Sequence, residues 1–182
     1  LRHICDFSIQ KLMKSKENIV FLGMMGSGKS TIGTLFSKKL NFNFCDIDKL
    51  IEQESNMKIS EIFKKNGEKY FRLLEEKITL KILKKNRTVI ALGGGAFLNK
   101  KIRDEILMNH LSIWLNLDNK TLIDRIFNSS KRPVVVGLTK EKLNDLIEKR
   151  SKIYTKALYK INCTNLTKKN VLDKIMDVYE AH

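Results

Sequence analysis

Apolar and polar positions along the chain follow two different periods, and the switches between them divide it into strands and helices. Ile19 to Leu22 is an unbroken apolar run stopped by glycine, which predicts a buried strand. From Lys29 to Leu40 the apolar residues recur at helical spacing, predicting a helix that turns Ile32, Leu35, Phe36 and Leu40 inward. Phe42 to Asp46 reads as a short strand, and Asp48 to Gln53, Ile59 to Lys65 and Lys69 to Lys85 as helices. Thr88 to Leu92 is a second fully apolar strand, halted by Gly93, Gly94 and Gly95. A helix over Lys101 to Met108 follows, then a strand over Leu111 to Leu117 holding the only tryptophan as a core residue, then a helix over Lys120 to Phe127. Beyond a polar loop with the sole proline, Pro133, the pattern predicts a helix from Lys140 to Lys156, a strand from Leu158 to Cys163 and a closing helix from Lys169 to Tyr179.

Strands separated by helices of this length require right-handed crossovers, hence a parallel sheet covered on both faces. Residues 18–182 are therefore expected to form a single three-layer α/β/α domain, with ligands at the carboxyl ends of its strands. Residues 1–17 are polar and carry no clean period. They read as an N-terminal extension, dispensable up to residue 12, because Met13 opens "MKSKENIVFLG" as a natural start would.

Composition narrows the class. The chain has 182 residues, 42% hydrophobic and 30% charged, an ordinary balance for a globular protein. No apolar run approaches the roughly 20 residues that span a bilayer, and Arg2, Asp6, Gln10 and Lys11 interrupt any signal-peptide pattern at the start. A cytoplasmic protein without a membrane partner is expected. Cys5, Cys45 and Cys163 are odd in number and widely spaced, so they read as reduced structural thiols. His3, His110 and His182 are too scattered for a metal cluster. The net charge of +15 is spread over nearly every predicted helix. It reads as solvated helix faces that help draw in anionic substrates, rather than as a nucleic-acid surface. A monomer is expected.

The chemistry begins where the first strand ends. Gly23-Met24-Met25-Gly26-Ser27-Gly28-Lys29-Ser30 fits G-x-x-x-x-G-K-[ST] between a strand and a helix. Glycines let the backbone approach a phosphate without a Cβ in the way, and the amides then point inward at a helix N-terminus that favours an anion. Lys29 is placed to reach the β- and γ-phosphates of a nucleotide, and the Ser30 hydroxyl to ligate Mg²⁺. Gly26, Ser27, Gly28 and Thr31 complete the cradle. A GTPase would need an Asn-Lys-x-Asp reader, and the nearest match, Asn119-Lys120-Thr121-Leu122, lacks the acid.

Other constellations are weaker alone. Asp46 and Asp48 stand at a strand end, where alternate residues share a side. They suit Mg²⁺ and an acceptor hydroxyl, or simply helix capping. Arg72 and Glu75, one helical turn apart, are explained from spacing by a surface ion pair, although the same pair would suit a substrate carboxylate. Gly93, Gly94 and Gly95 make either a tight turn or a close approach to a ligand. Arg125, Arg132 and Pro133 flank a loop that reads equally as a lid and as ordinary surface. Arg150, four residues before Tyr154, reads from its helix as a surface cation.

Taken together, "GMMGSGKSTIG", "FNFCDIDKLIE", "ISEIFKKNGEKYFRLLEE", "VIALGGGAF", "RIFNSSKRP" and "RSKIYTKA" resemble the successive motifs of shikimate kinases, in order and near-family spacing over roughly Asn18 to Asn162. The resemblance implies a nucleoside-monophosphate-kinase type of P-loop kinase fold, with a five-stranded parallel sheet in order 2-3-1-4-5 and a lid loop. It implies transfer of phosphate from ATP to the 3-hydroxyl of shikimate, with Mg²⁺, on the route to chorismate and aromatic amino acids. Lys29 and Arg132 would then act on the phosphates, Arg125 would lie against adenine, and Ser30 with Asp46 would place the metal. Asp48 would be the base. Arg72 and Arg150 would grip the shikimate carboxylate, Glu75 would hold Arg72, Gly93, Gly94 and Gly95 would lie along the ring, and Phe63 and Phe71 would give apolar walls. The lid departs from a glycine- and leucine-richer version. Another small-molecule P-loop kinase, such as gluconate kinase, or a catalytically silent nucleotide-binding module are the competing readings.

Overall fold

The strand that precedes the glycine-rich loop, β1 (Ile19–Leu22), is buried along its whole length because it lies mid-sheet with helices on both faces. The computed structural model describes residues 17–127 and 139–182. Its five strands are β1, β2 (Asn43–Asp46), β3 (Thr88–Ala91), β4 (Leu111–Asn116) and β5 (Tyr159–Asn162). They pair in parallel in the order β2-β3-β1-β4-β5. Ile19 pairs with Val89 on one side and Leu111 on the other, so all five strands point their carboxyl ends the same way. The expected order and parallel character are both found.

Seven α-helices accompany the sheet among the described residues: α1 (Lys29–Leu40), α2 (Ile47–Ser55), α3 (Ile59–Leu83), α4 (Lys100–Asn109), α5 (Asn119–Phe127), α6 (Lys140–Tyr154) and α7 (Lys168–Ala181). Phe36 on α1 sits between Phe21 of β1 (centroids 5.9 Å apart) and Tyr179 of α7 (6.1 Å), which fixes that layer. Leu35 does not turn inward as expected and is 38% exposed. The buried face of α1 runs through Lys29, Ile32, Gly33, Phe36 and Ser37, because Gly33 lets the Phe44 ring approach so closely that a Cβ would lie 2.5 Å from it. Leu35 is left on the rim.

Two expected helices, 59–65 and 69–85, form one element interrupted at Gly67, whose φ of 79° and ψ of 173° are not helical. Only glycine adopts that backbone readily. Asn41 and Asn56 end α1 and α2 in the left-handed conformation, which asparagine tolerates better than most residues. At the base of the sheet, the buried Asn18 amide donates to the carbonyls of Leu83 (2.9 Å) and Lys85 (2.6 Å), and its oxygen accepts from the Thr88 amide (3.1 Å). That one side chain ties the end of α3 to the start of β3, directly below the glycine triplet. Trp114, Cys163 and His110 are buried as structural residues, and Cys45 is half-buried. Cys5 and His3 lie outside the described residues. No described helix is long and apolar enough to cross a membrane.

Candidate active site

At the carboxyl ends of β1, β2 and β3 a cleft of about 1030 Å³ opens between the glycine-rich loop, α2, α3 and the glycine triplet. Its floor on one side is the loop itself. Gly26 and Gly28 have φ of 84° and 93°, and Gly28 forms the N-terminal cap of α1. The chain thus reverses without side chains, and the first amides of α1 face the cleft. The Lys29 ammonium donates to the carbonyls of Gly23 (2.8 Å) and Met24 (2.9 Å), folding over the loop that an anion would occupy. Ser30 Oγ donates to Asp46 Oδ2 at 2.5 Å, and Asp46 Oδ1 caps α2 by accepting from the Lys49 amide at 3.3 Å. Ser27 Oγ is buried and has no hydrogen-bond partner among the described residues. Thr31 lines the cleft, and Arg125 donates to the Gly26 carbonyl at 3.2 Å from above the loop.

Asp46 and Asp48 both line the cleft, but not by strand alternation. Asp46 closes β2, whereas Asp48 lies in the first turn of α2, so the strand-to-helix switch brings the second carboxylate around. Helix capping belongs to Asp46 alone of the pair.

The glycine triplet explains itself through its neighbours. A Cβ on Gly93 would lie 2.6 Å from Asp48 Oδ1 and 2.7 Å from Glu75 Oε1. One on Gly94 would meet Arg150 at 3.2 Å, and one on Gly95 would meet the Arg72 guanidinium at 2.5 Å. Each glycine is therefore small because a charged side chain lies directly on it. A tight turn alone would not produce that match.

Arg72 and Arg150 are not the surface cations that spacing suggests. Arg72 donates to Glu75 at 2.7 Å and to Glu68 at 3.1 and 3.2 Å, and Glu75 is 2% exposed. Burial pushes the Glu75 carboxyl above its ordinary range; Arg72 opposes that shift and the Asp48 charge adds to it. Arg150 is 9% exposed, with its Nε buried and unpartnered among the described residues. Phe63 and Phe71 pack ring to ring at 4.7 Å on the wall of the cleft beside Arg72.

These features coincide with a known group. The shikimate kinase family profile matches residues 25–180. The chain belongs to the shikimate kinase family. A shikimate kinase of Sulfurihydrogenibium sp. is 38% identical over 160 residues, which are 88% of this chain and 96% of that protein. The structure of a shikimate kinase from Acinetobacter baumannii in complex with shikimate superposes with a TM-score of 0.86 at 27% identity, covering 94% of this chain and 97% of that one. A gluconokinase from Sinorhizobium meliloti also superposes, with a TM-score of 0.59 over 92% and 93% of the chains, but at 12% identity it shares only the fold.

Of the described site residues expected from the sequence, all but Ser27 and Gly93 line this cleft; Gly93 lies under Asp48 and Glu75, and Ser27 is buried within the loop. Arg132, Pro133 and the lid loop lie outside the described residues. Sequence reasoning missed Lys49, Glu52, Lys58, Ile59 and Ser60, which also line the cleft. Glu52 accepts from the Ile59 amide and from Lys58 Nζ, both at 3.1 Å, and so docks α2 onto the start of α3. Its position four residues after Asp48 was the available signal, since that spacing puts both on one helix face.

Proposed function

We propose that this shikimate kinase transfers the γ-phosphate of ATP to the 3-hydroxyl of shikimate, in the cytoplasm and as a monomer. The observation that carries the acceptor assignment is the pair of guanidiniums on adjacent glycines, Arg150 over Gly94 and Arg72 over Gly95. A single carboxylate there accepts from both, and the unpartnered donor of Arg150 gives it a buried bond to complete. A neutral polyol offers neither guanidinium a charged hydrogen-bond acceptor.

The residues divide the work as follows. The amides from Gly26 to Thr31 and the Lys29 ammonium hold the polyphosphate. To do so, Lys29 exchanges its two carbonyl partners for phosphate oxygens. The Ser30 hydroxyl and Asp46 carboxylate meet at 2.5 Å, an oxygen pair suited to Mg²⁺, which needs few protein ligands when phosphates and water supply the rest. Bound there, Mg²⁺ supplies charge neutralisation on the phosphates. Arg125, over the Gly26 carbonyl, lies against adenine, and Arg132 serves the phosphates from the lid. Shikimate is gripped by Arg72 and Arg150, with Phe63 and Phe71 against its ring and Glu75 holding Arg72.

Asp48 accepts the acceptor hydroxyl's proton as that oxygen bonds to the γ-phosphorus and the bond to the bridging oxygen of ADP breaks. Positioning and electrostatics account for most of the catalysis in such a transfer. The test is ADP release with shikimate, quinate, gluconate and nucleoside monophosphates as acceptors. Shikimate is expected to be preferred by a wide margin, and preference for gluconate would overturn the assignment. ATP affinity without turnover on any acceptor would favour the silent module instead.

A further inference from the structure

We infer that Met24, a residue of the phosphate loop, is a positioning residue for the arginine that grips the acceptor. Its side chain is 2% exposed and is directed at α6. There its sulfur lies 3.9 Å from an Arg150 nitrogen and 3.8 Å from the Tyr154 hydroxyl. Tyr154 is 1% exposed, packs against Trp114 and donates its proton to the Gly94 carbonyl. Burial pushes its phenol up to about 12, so it remains a donor throughout the working range. Arg150 and Tyr154 thus meet at one buried thioether of the loop, and Tyr154 carries the contact on to Gly94.

The other end of Met24 belongs to the nucleotide side. Its carbonyl accepts from Lys29 Nζ at 2.9 Å and from the Ser27 amide at 3.2 Å. A polyphosphate that takes Lys29 removes one of those bonds and leaves the bond from the Ser27 amide. A thioether suits this position: it is a weak acceptor that tolerates small shifts, whereas a branched side chain would fill the space without addressing the guanidinium. Met24 touches neither substrate and acts through Arg150.

This inference rests on the reading of Arg150 as an acceptor ligand, so parent turnover with shikimate is measured first; its absence would overturn that reading and this one together. Given turnover, Met24→Leu, which keeps volume and loses the sulfur, is expected to raise the shikimate KM about two- to tenfold, the range of one modest hydrogen bond. ATP affinity of the free enzyme, followed by calorimetry, should stay within about twofold by the same arithmetic. In an Arg150→Lys background, whose own KM is higher, Met24→Leu should add nothing further. Tyr154→Phe, which frees the Gly94 carbonyl, should raise the same KM. An unchanged shikimate KM in Met24→Leu, an equal loss of ATP affinity, or the same factor in both backgrounds would each overturn the inference. A thermal melt of each variant confirms folding.

Discussion

Glu75→Gln separates what the buried carboxylate does for folding from what it does for the acceptor. The substitution keeps shape and one acceptor oxygen while removing the charge that Arg72 meets at 2.7 Å. Removing one member of a buried ion pair often costs about 3–5 kcal/mol, because the other charge is stranded. Arg72 is not stranded: its side chain is 35% exposed and keeps Glu68 at 3.1 Å. The carboxylate also pays a burial penalty, visible in its raised pKa, which the amide escapes. Net stability should therefore change by no more than about 1 kcal/mol, or about 2–4 °C in Tm for a chain of this size.

Acceptor binding should respond more. A hydrogen bond to a charged group contributes about 1.5–3 kcal/mol and a neutral one about 0.5–1.5 kcal/mol. With Arg72 held less firmly, shikimate affinity should fall about five- to tenfold. The pH dependences should then diverge. Because the folded pKa of Glu75 is raised above its ordinary 4.5, its contribution to stability is fully present below 4.5 and is lost as pH rises through the folded value. Acidification through that window should steady the parent relative to the variant, while weakening the parent's grip on shikimate by neutralising Glu75. Initial-rate kinetics and thermal melts over the acid range measure both. A Tm loss beyond about 10 °C with an unchanged shikimate KM would show that the pair is purely structural, contrary to the magnitudes above.

Asp48→Asn should lower kcat by orders of magnitude while ATP binding persists, and a kcat close to the parent's would remove Asp48 as the base. Gly95→Ala places a methyl 2.5 Å from the mobile end of Arg72, so the fold should survive while the shikimate KM rises about tenfold or more; an unchanged KM would show that Arg72 sits elsewhere during turnover. Gly67→Ala has open space around the new Cβ, yet the backbone strain there should lower stability by about 1–3 kcal/mol, measured by denaturant titration. Burial lowers the His110 pKa below its ordinary 6.5, with Glu105 opposing, so its contribution is present above 6.5 and lost as pH falls through the folded value. His110→Phe should flatten Tm against pH in that window, and an unaltered slope would assign the titration to another group.

The two central strands β1 and β3 were legible because they are nearly continuous apolar runs closed by glycine, and the helices because their apolar faces keep a 3.6-residue period. Leu35 was misread because periodicity marks an apolar face about 100° wide without marking its centre, which here is displaced by the close approach of Phe44 to Gly33. The phosphate loop could be read outright, since backbone chemistry leaves its mark as glycines in sequence. The acceptor half was harder. Arg72, Glu75 and Arg150 have the spacing of ordinary surface charges; the motif resemblance singled them out, and the fold supplies the physical reason by laying them over three consecutive glycines. Spacing reports neighbours on one helix; it carries no information about which residues of another element lie above it.

That juxtaposition also accounts for how one small cleft handles two anions without confusing them. The phosphate loop offers backbone amides and one ammonium, which donates to the Gly23 and Met24 carbonyls. The acceptor end offers two guanidiniums instead. Arg72 is already paired with two carboxylates, and Arg150 is buried, its Nε unpartnered among the described residues. Asp48 and Glu75, converging over Gly93 between the two ends, place negative charge where neither anion should settle and only a hydroxyl is welcome. Selectivity in this reading comes from the order of charges along the cleft, cation, carboxylate, cation, which exchanging Asp48 and Arg72 would scramble without altering net charge.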